Sequence, residues 1–445
     1  MLRSRWRWTI VLGITLLAAA GGWWRYAAAR PSVNILLITL DTTRADRLGC
    51  YGHADAVTPT LDRLAAGGLL FERCYSAAPL TLRAHATMFT GRHPAEHGLR
   101  TNGRASLPTD LPTLPEVLQQ TGYATAGFVS SFVLDERFGL ARGFDVYDDD
   151  VSADDPREDQ LHLQRSAAET VDAALAWLAG QSQQRFFCWV HLYDPHIPYL
   201  SHEDRFGDRF AGRPYDAEIA YVDGEIGRLL KGLEDLDAAD ETLIVVIGDH
   251  GEGLGDHVEK THGYTLYNST QHVPLIFHGP GRLRAGHRVS GTVPMPDLPA
   301  TLLDAAGLAP GRIGGRSRSA ARALAGEPLD PRQALSATDD PFLQNGWSPL
   351  RSLVVGDWKY IRTTQPELYD LSADFQESTN LVDQHPARLI EMEDLLQDLE
   401  SSMRESEAAQ VQLSGREVQA LRSLGYVGGV SPAPARATDQ LPDVK

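Results

Sequence analysis

Three unbroken apolar runs, each stopping abruptly at acidic or imidazole side chains, set the pattern of this chain. Val33 to Leu40 (VNILLITL) ends at Asp41, Phe186 to Leu192 leads into Tyr193-Asp194-Pro195-His196, and Thr242 to Ile247 (TLIVVI) ends in Gly248-Asp249-His250. Runs of β-branched and aliphatic residues without polar alternation fit strands covered on both faces, as in a parallel sheet. The first run delivers Asp41 to the carboxyl edge of such a sheet, where sites in open α/β folds form. Between the runs, apolar residues recur at helical spacing. Leu61 and Leu64 do so within Thr58 to Gly67, and Leu114, Val117 and Leu118 within Leu111 to Gly122. Val171, Leu175 and Leu178 repeat the pattern within Ser166 to Ala179, as do Ile219, Val222, Ile226 and Leu229 within Tyr215 to Leu233. Strands alternating with helices predict an α/β fold with a mostly parallel central sheet sandwiched by helices.

From about Asp330 the pattern changes. Leu350 to Val355, Trp358 to Thr363 and Glu367 to Leu371 read as short strands joined by Gly356-Asp357 and a Gln365-Pro366 turn, followed by a helical stretch from Pro386 to Ser402. The expectation is a main domain over 31–330 and a small C-terminal antiparallel α+β subdomain over 331–428. The composition of 429–445, which includes SPAPARATDQLPDVK, predicts a disordered tail.

The N-terminus carries a targeting signal over 1–30. Arg3, Arg5 and Arg7 precede an apolar run from Trp8 to Trp24, and Arg25 and Arg30 follow it. At ~1.5 Å per residue the run spans about 25 Å, near the lower limit for crossing a bilayer. Leading positive charge orients such a segment with the N-terminus in the cytoplasm. The leading reading is an uncleaved signal anchor, which would hold the body outside the cytoplasm, on the periplasmic side of the inner membrane in a bacterium. A signal peptide cleaved after Ala18 to Gly22 or near Ala27 and Ala29, and a buried helix, are the alternatives.

A length of 445 residues permits a large core, and a formal net charge of −18 argues against nucleic acid as a partner. Cys50, Cys74 and Cys188 allow at most one disulfide, lack metal-type spacing and read as buried small residues.

Asp41, Asp249 and His250 stand at strand ends far apart in sequence, and carboxylates with imidazole form a plausible donor set for a divalent ion. The segment Thr81-Leu82-Arg83-Ala84-His85-Ala86-Thr87-Met88-Phe89-Thr90-Gly91-Arg92 resembles the nucleophile loop of the sulfatase family, within the alkaline phosphatase superfamily. Threonine stands at the nucleophile position, where sulfatases carry a Cys or Ser that becomes formylglycine. Arg83, Ala84 and His85 replace the usual Pro, Ser and Arg. The stretches Leu37 to Gly52 and Gly248 to His262 resemble the family's two metal motifs, with Thr42 in place of the second acidic residue. Further similar segments include Thr121 to Phe128, Val273 to Ile276, Leu368 to Leu371 and Leu421 to Gly428, so the resemblance spans roughly 33–428.

The resemblance implies one divalent ion on Asp41, Thr81, Asp249 and His250. The imidazole favours Mn²⁺ or Zn²⁺, with Ca²⁺ and Mg²⁺ open. Thr81 would be the nucleophile, its hydroxyl activated by the ion, although a helix N-cap is its ordinary role. His85 is placed beside the substrate or orienting Thr81. Asn102 would bind a nonbridging oxygen, and His196 or His262 would protonate the leaving group. Arg83 reads as solvated or as an anion contact. The expected activity is hydrolysis of a phosphate, phosphonate or sulfate ester of a small molecule, glycan or lipid, in the manner of the superfamily's phosphonate monoester hydrolases and phosphodiesterases. A phospho-headgroup transferase and a noncatalytic binding protein on the same fold are the rival readings.

Overall fold

The computed structural model describes residues 33–151, 164–181, 184–280, 283–423, 426 and 441–444. The N-terminal segment expected as a membrane anchor lies outside them, and no helix among the described residues is long and apolar enough to cross a membrane.

The main body runs β1 (Asn34–Leu40), α1 (Pro59–Gly67), β2 (Leu69–Tyr75), α2 (Thr81–Thr90), α3 (Leu114–Gln120), β3 (Ala124–Phe128), β4 (Val146–Asp148), α4 (Ala167–Leu178), β5 (Phe186–Leu192), α5 (Pro214–Asp235), β6 (Thr242–Gly248), β7 (His272–His278), β8 (His287–Pro294) and α6 (Leu298–Ala305). Eight strands form one sheet in the order β4-β3-β5-β1-β6-β7-β2-β8. All pairs are parallel except those made by β7, which runs against β6 and β2.

Both faces of the sheet are covered, as the unbroken apolar runs require. Ile35, Leu37, Trp189, Val245 and Ile247 face one core with α2, while Leu36, Ile38, Val190, Ile244 and Val246 face the other with α4 and α5. Each such side chain, fully buried, contributes roughly 1.5–3 kcal/mol. Register then fixes the site. Leu40 pairs with both Leu192 and Gly248, so β5, β1 and β6 end level with one another. Backbone bonds from Asp41 N to Leu192 O (3.0 Å) and from Asp249 N to Leu40 O (3.1 Å) lock the residues that follow.

The C-terminal part contains the expected meander, with one strand more than the sequence suggested: β9 (Gln333–Thr338), β10 (Leu350–Val355), β11 (Trp358–Arg362) and β12 (Glu367–Asp370), all antiparallel. Helix α7 (Pro386–Ser401) covers one face through Met392 and Leu396. The other face packs Ala334, Val354 and Ile361 with Tyr75 and Tyr267 of the main body. A last helix, α8 (Gly415–Ser423), follows. The expected disordered tail lies largely outside the described residues, but 441–444 are docked. Pro442 O accepts from Ser348 N at 2.8 Å, Asp443 Oδ2 accepts from Gln365 N at 2.9 Å, and Leu441 is buried. Cys50, Cys74 and Cys188 are free thiols.

Candidate active site

Asp41 follows β1, Asp249 and His250 follow β6, and Thr81 opens α2, which packs in the core on one face of the sheet. Thr81 is the first residue of the helix rather than its cap; Leu80 holds the cap position and makes no side-chain cap bond. The hydroxyl of Thr81 is therefore free to face the carboxylates. Its Oγ1 lies 3.2 Å from Asp41 Oδ2 and 3.4 Å from His250 Nε2.

Hydrogen bonds leave each metal-type donor with an open lone pair. Asp249 Oδ1 accepts from the backbone N–H groups of Thr42 (3.1 Å) and His250 (2.6 Å), while Oδ2 has no partner. Asp41 Oδ2 accepts from Thr81, and Oδ1 has no partner. His250 Nδ1 meets Gly251 O at 2.9 Å; a carbonyl only accepts, so the proton sits on Nδ1 and Nε2 is bare. Asp41, Asp249 and His250 offer ligand atoms within 4.8 Å of one another, and all three are buried. Burial raises both carboxyl groups, and repulsion from Asp41 raises Asp249 further; burial and then His262 hold His250 well below the usual histidine range. Orphaned carboxylate oxygens beside a neutral imidazole fit a divalent cation, which supplies the positive charge this cluster lacks. These are the residues expected from the sequence.

Thr42, which replaces an acidic residue of the family motif, points elsewhere. Its hydroxyl donates to Pro195 O at 2.7 Å, and its φ of 47° places a β-branched residue in the left-handed region. The strained turn aims its N–H at Asp249.

Asn102 and the two late histidines complete the constellation. Asn102 Oδ1 accepts from Leu82 N at 3.0 Å, leaving a buried Nδ2 without a partner beside the start of α2. That is the group an anionic oxygen would take up. His196 and His262 lie with ring centroids 5.0 Å apart, and His262 is 4.5 Å from His250. His196 Nδ1 is engaged by Ile197 O at 2.7 Å, and burial, then His262, lower its basicity well below normal. Burial works against a charged His262 too, but Glu252, 3.2 Å from Nδ1, together with Asp41 and Glu259 more than offsets it, and the imidazole is raised to about 9.

His85 is placed to orient Thr81, the other role expected of it. Its Nδ1 meets Thr81 O at 2.8 Å and its Nε2 meets Thr39 Oγ1 at 2.9 Å, so both nitrogens are spent holding the first turn of α2 to β1. Arg83 is neither solvated nor in the site: it is fully buried and donates to Arg100 O at 3.1 Å.

Three residues escaped sequence reading although each lies in a segment quoted from it. His191, the penultimate residue before the end of β5, accepts from Ser130 N on Nδ1 (3.3 Å) and so donates from Nε2 to Asp41 Oδ2 (3.2 Å), orienting that carboxylate. Glu252 lies 3.2 Å from His262 Nδ1 and, ahead of Asp41 and Glu259, raises that imidazole. Tyr426 brings its hydroxyl to 2.7 Å from His196 Nε2.

The sulfatase family model matches residues 33–308. N-acetylgalactosamine-6-sulfatase of Canis lupus familiaris is 29% identical over 357 residues, covering 68% of this chain and 67% of that protein. Delta 4,5-hexuronate-2-O-sulfatase of Bacteroides thetaiotaomicron is 24% identical over 438 residues, covering 83% and 87%. A solved structure in complex with its substrate D-glucosamine-2-N,6-O-disulfate superposes with a TM-score of 0.70 at 22% identity, over 84% of this chain and 98% of the other. A model match over more than half the chain joins the strand-end carboxylates and the Thr81 helix to one lineage: the chain belongs to the sulfatase family of hydrolases, within the alkaline phosphatase superfamily.

Proposed function

We propose that this chain is a metal-dependent hydrolase that uses Thr81 as nucleophile on a phosphate, phosphonate or sulfate ester, with phosphorus favoured over sulfur. The observation that carries the reading is Thr81 Oγ1, 3.2 Å from Asp41 Oδ2 and 3.4 Å from His250 Nε2, at the N-terminus of a buried helix. One divalent ion on Asp41, Thr81, Asp249 and His250, with Mn²⁺ or Zn²⁺ favoured by the imidazole, would supply positive charge that makes this hydroxyl nucleophilic at neutral pH. The relatives named above are sulfatases of sugars, which supports an anionic ester of a glycan or similar small alcohol as substrate.

Thr81 decides the second half of the reaction. A formylglycine hydrate holds two oxygens on one carbon and expels sulfate by collapsing to an aldehyde. Threonine Cβ holds one oxygen and a methyl group, so water must attack the transferred group itself, which phosphorus accepts more readily. In the first half, the bond from Thr81 Oγ1 to phosphorus forms as the bond to the alcohol oxygen breaks, and the threonine proton leaves along its bond to Asp41. Asn102 Nδ2 donates to a nonbridging oxygen, and His262 Nε2 gives its proton to the departing oxygen. Water then forms its bond to phosphorus as the bond to Oγ1 breaks. His262 recovers a proton from that water, and Thr81 recovers its own from Asp41.

A panel of p-nitrophenyl phosphodiester, phosphonate and sulfate esters, assayed with Mn²⁺, Zn²⁺, Ca²⁺ and Mg²⁺, tests this. Phosphorus esters should turn over, and Thr81→Ala should be inactive. A clear preference for sulfate would sink the phosphorus assignment, and an active Thr81→Ala would sink the nucleophile.

A further inference from the structure

The C-terminal segment places a phenol where the reaction places an alcohol. Tyr426 lies beyond the residues that the family model matches and is held through packing against the residue that follows Asn102. Its N–H donates to Leu421 O at 2.9 Å, and Leu421, on α8, is fully buried against Gly103, where an added Cβ would come within 2.5 Å of Leu421 Cδ1. The side chain of Tyr426 is itself only 4% exposed, and its ring lies 6.0 Å from that of His196 and 6.1 Å from that of His262.

The hydrogen bonds at its hydroxyl have a direction. His196 Nδ1 carries the proton that binds Ile197 O, so its bare Nε2 accepts from the Tyr426 O–H at 2.7 Å. The same hydroxyl lies 3.3 Å from His262 Nε2. A departing alcohol makes the same demands: it needs a donor at its oxygen and, once protonated, an acceptor for its hydrogen. Both nitrogens converge on one point, and two oxygens cannot share it. With Tyr426 there, Thr81 is fully buried, His196 is 1% exposed and His262 is 7% exposed.

We infer that Tyr426 is a built-in competitor: its hydroxyl fills the position between His196 Nε2 and His262 Nε2 that the proposed function gives to the ester's alcohol oxygen, and substrate must displace it. The inference rests on the assignment of His262 to the leaving group. It also gives the subsite a shape: an oxygen attached to a flat six-membered ring fits where Tyr426 sits.

The test separates this from the catalytic reading by measuring binding without turnover. p-Nitrophenyl phosphate, whose ester oxygen is likewise attached to a flat ring, is titrated calorimetrically into full-length Thr81→Ala protein in excess Mn²⁺. The same titration is run with Tyr426→Phe and Tyr426→Ala added. Removal of the competing hydroxyl should tighten binding about tenfold, and removal of the ring should tighten it further. Leu421→Ala, which loosens the anchor and leaves the tyrosine, should move affinity in the same direction. Equal or weaker binding in the Tyr426 variants, or no binding in any of them, overturns the competitor assignment. Turnover of the ester by Thr81→Ala would instead refute the nucleophile and leave the ranking of affinities to stand or fall separately.

Discussion

His85 Nδ1 lies 2.8 Å from the carbonyl oxygen of Thr81, one helical turn away, while its Nε2 meets the hydroxyl of Thr39 in β1. The Thr81 carbonyl can only accept, so the imidazole proton sits on Nδ1 and the bare Nε2 accepts from Thr39 Oγ1–H; Thr39 Oγ1 in turn accepts from Trp189 Nε1 at 2.9 Å. The nucleophile is therefore positioned from the backbone, through a chain of bonds rooted in two central strands. His85→Ala should cost about 2–4 kcal/mol in urea unfolding, since it opens a cavity and strips partners from buried groups. It should also lower kcat at least tenfold, roughly, with KM little changed. His85→Gln, which keeps one hydrogen bond, should recover part of both. A variant that loses stability but keeps full kcat would confine His85 to folding.

Thr81→Ser keeps a hydroxyl at the same Cβ and should retain activity within about an order of magnitude, whereas Thr81→Ala should lose at least about 1,000-fold in kcat. Burst kinetics with a p-nitrophenyl ester, followed by mass measurement of the quenched protein, checks the mechanism. An adduct should appear on Thr81 in the wild-type protein and be absent from Thr81→Ala.

His191 donates to Asp41 and leaves the other carboxylate oxygen open, the arrangement of an orienting group behind a metal ligand. His191→Ala should weaken metal affinity about 10–100-fold, measured by competition with a chelator, and excess metal should restore most of the lost activity. Unchanged affinity would remove this role.

Glu252 makes a prediction in pH. Burial alone would depress His262, and the carboxylates of Glu252, Asp41 and Glu259, Glu252 foremost, together outweigh it, so the folded-state value rises from 6.5 to about 9. The stabilising attraction is complete below about pH 6.5 and is lost as pH rises through about 9. The proton-donating form of His262 disappears over the same alkaline range. Glu252→Gln removes the largest raising influence, so the alkaline limb of kcat/KM should move to lower pH. A limb that stays in place would assign the leaving-group proton to another residue.

The strands that build the site were legible because both of their faces are apolar, a property visible in VNILLITL and TLIVVI alone. So were Asp41, Asp249 and His250, which simply follow those strands. The strand β7 was not legible, since Pro274 sits within it and a proline argues against an inner strand; the structure accommodates it where the β2 ladder slips register between Phe71 and Cys74. His191 reads as a core histidine because it falls inside an apolar run, and only the neighbouring strand reveals that it faces Asp41. Tyr426 is 230 positions from His196, a distance at which no local spacing carries information.

The last relationship ties the small sheet to the loop behind the site. Lys359 of β11 is fully buried, pairs with Glu377 at 2.6 Å and donates to Asn268 Oδ1 at 3.0 Å. Glu377 in turn accepts from Asn268 N at 2.6 Å. Two residues on, Thr270 O accepts from Gly251 N at 2.9 Å, immediately after His250. Burial lowers Lys359 even though Glu377 favours its charge, so the pair survives only as a pair. Lys359→Met leaves the carboxylate buried and uncompensated and should cost about 3–5 kcal/mol. The double variant Lys359→Met with Glu377→Leu should be appreciably less destabilised than the sum of the single changes, because it removes the stranded charge. Urea unfolding of the four proteins measures the coupling. Additive losses would show that the two charges are solvated independently and that the sheet is held to the site by its apolar face alone.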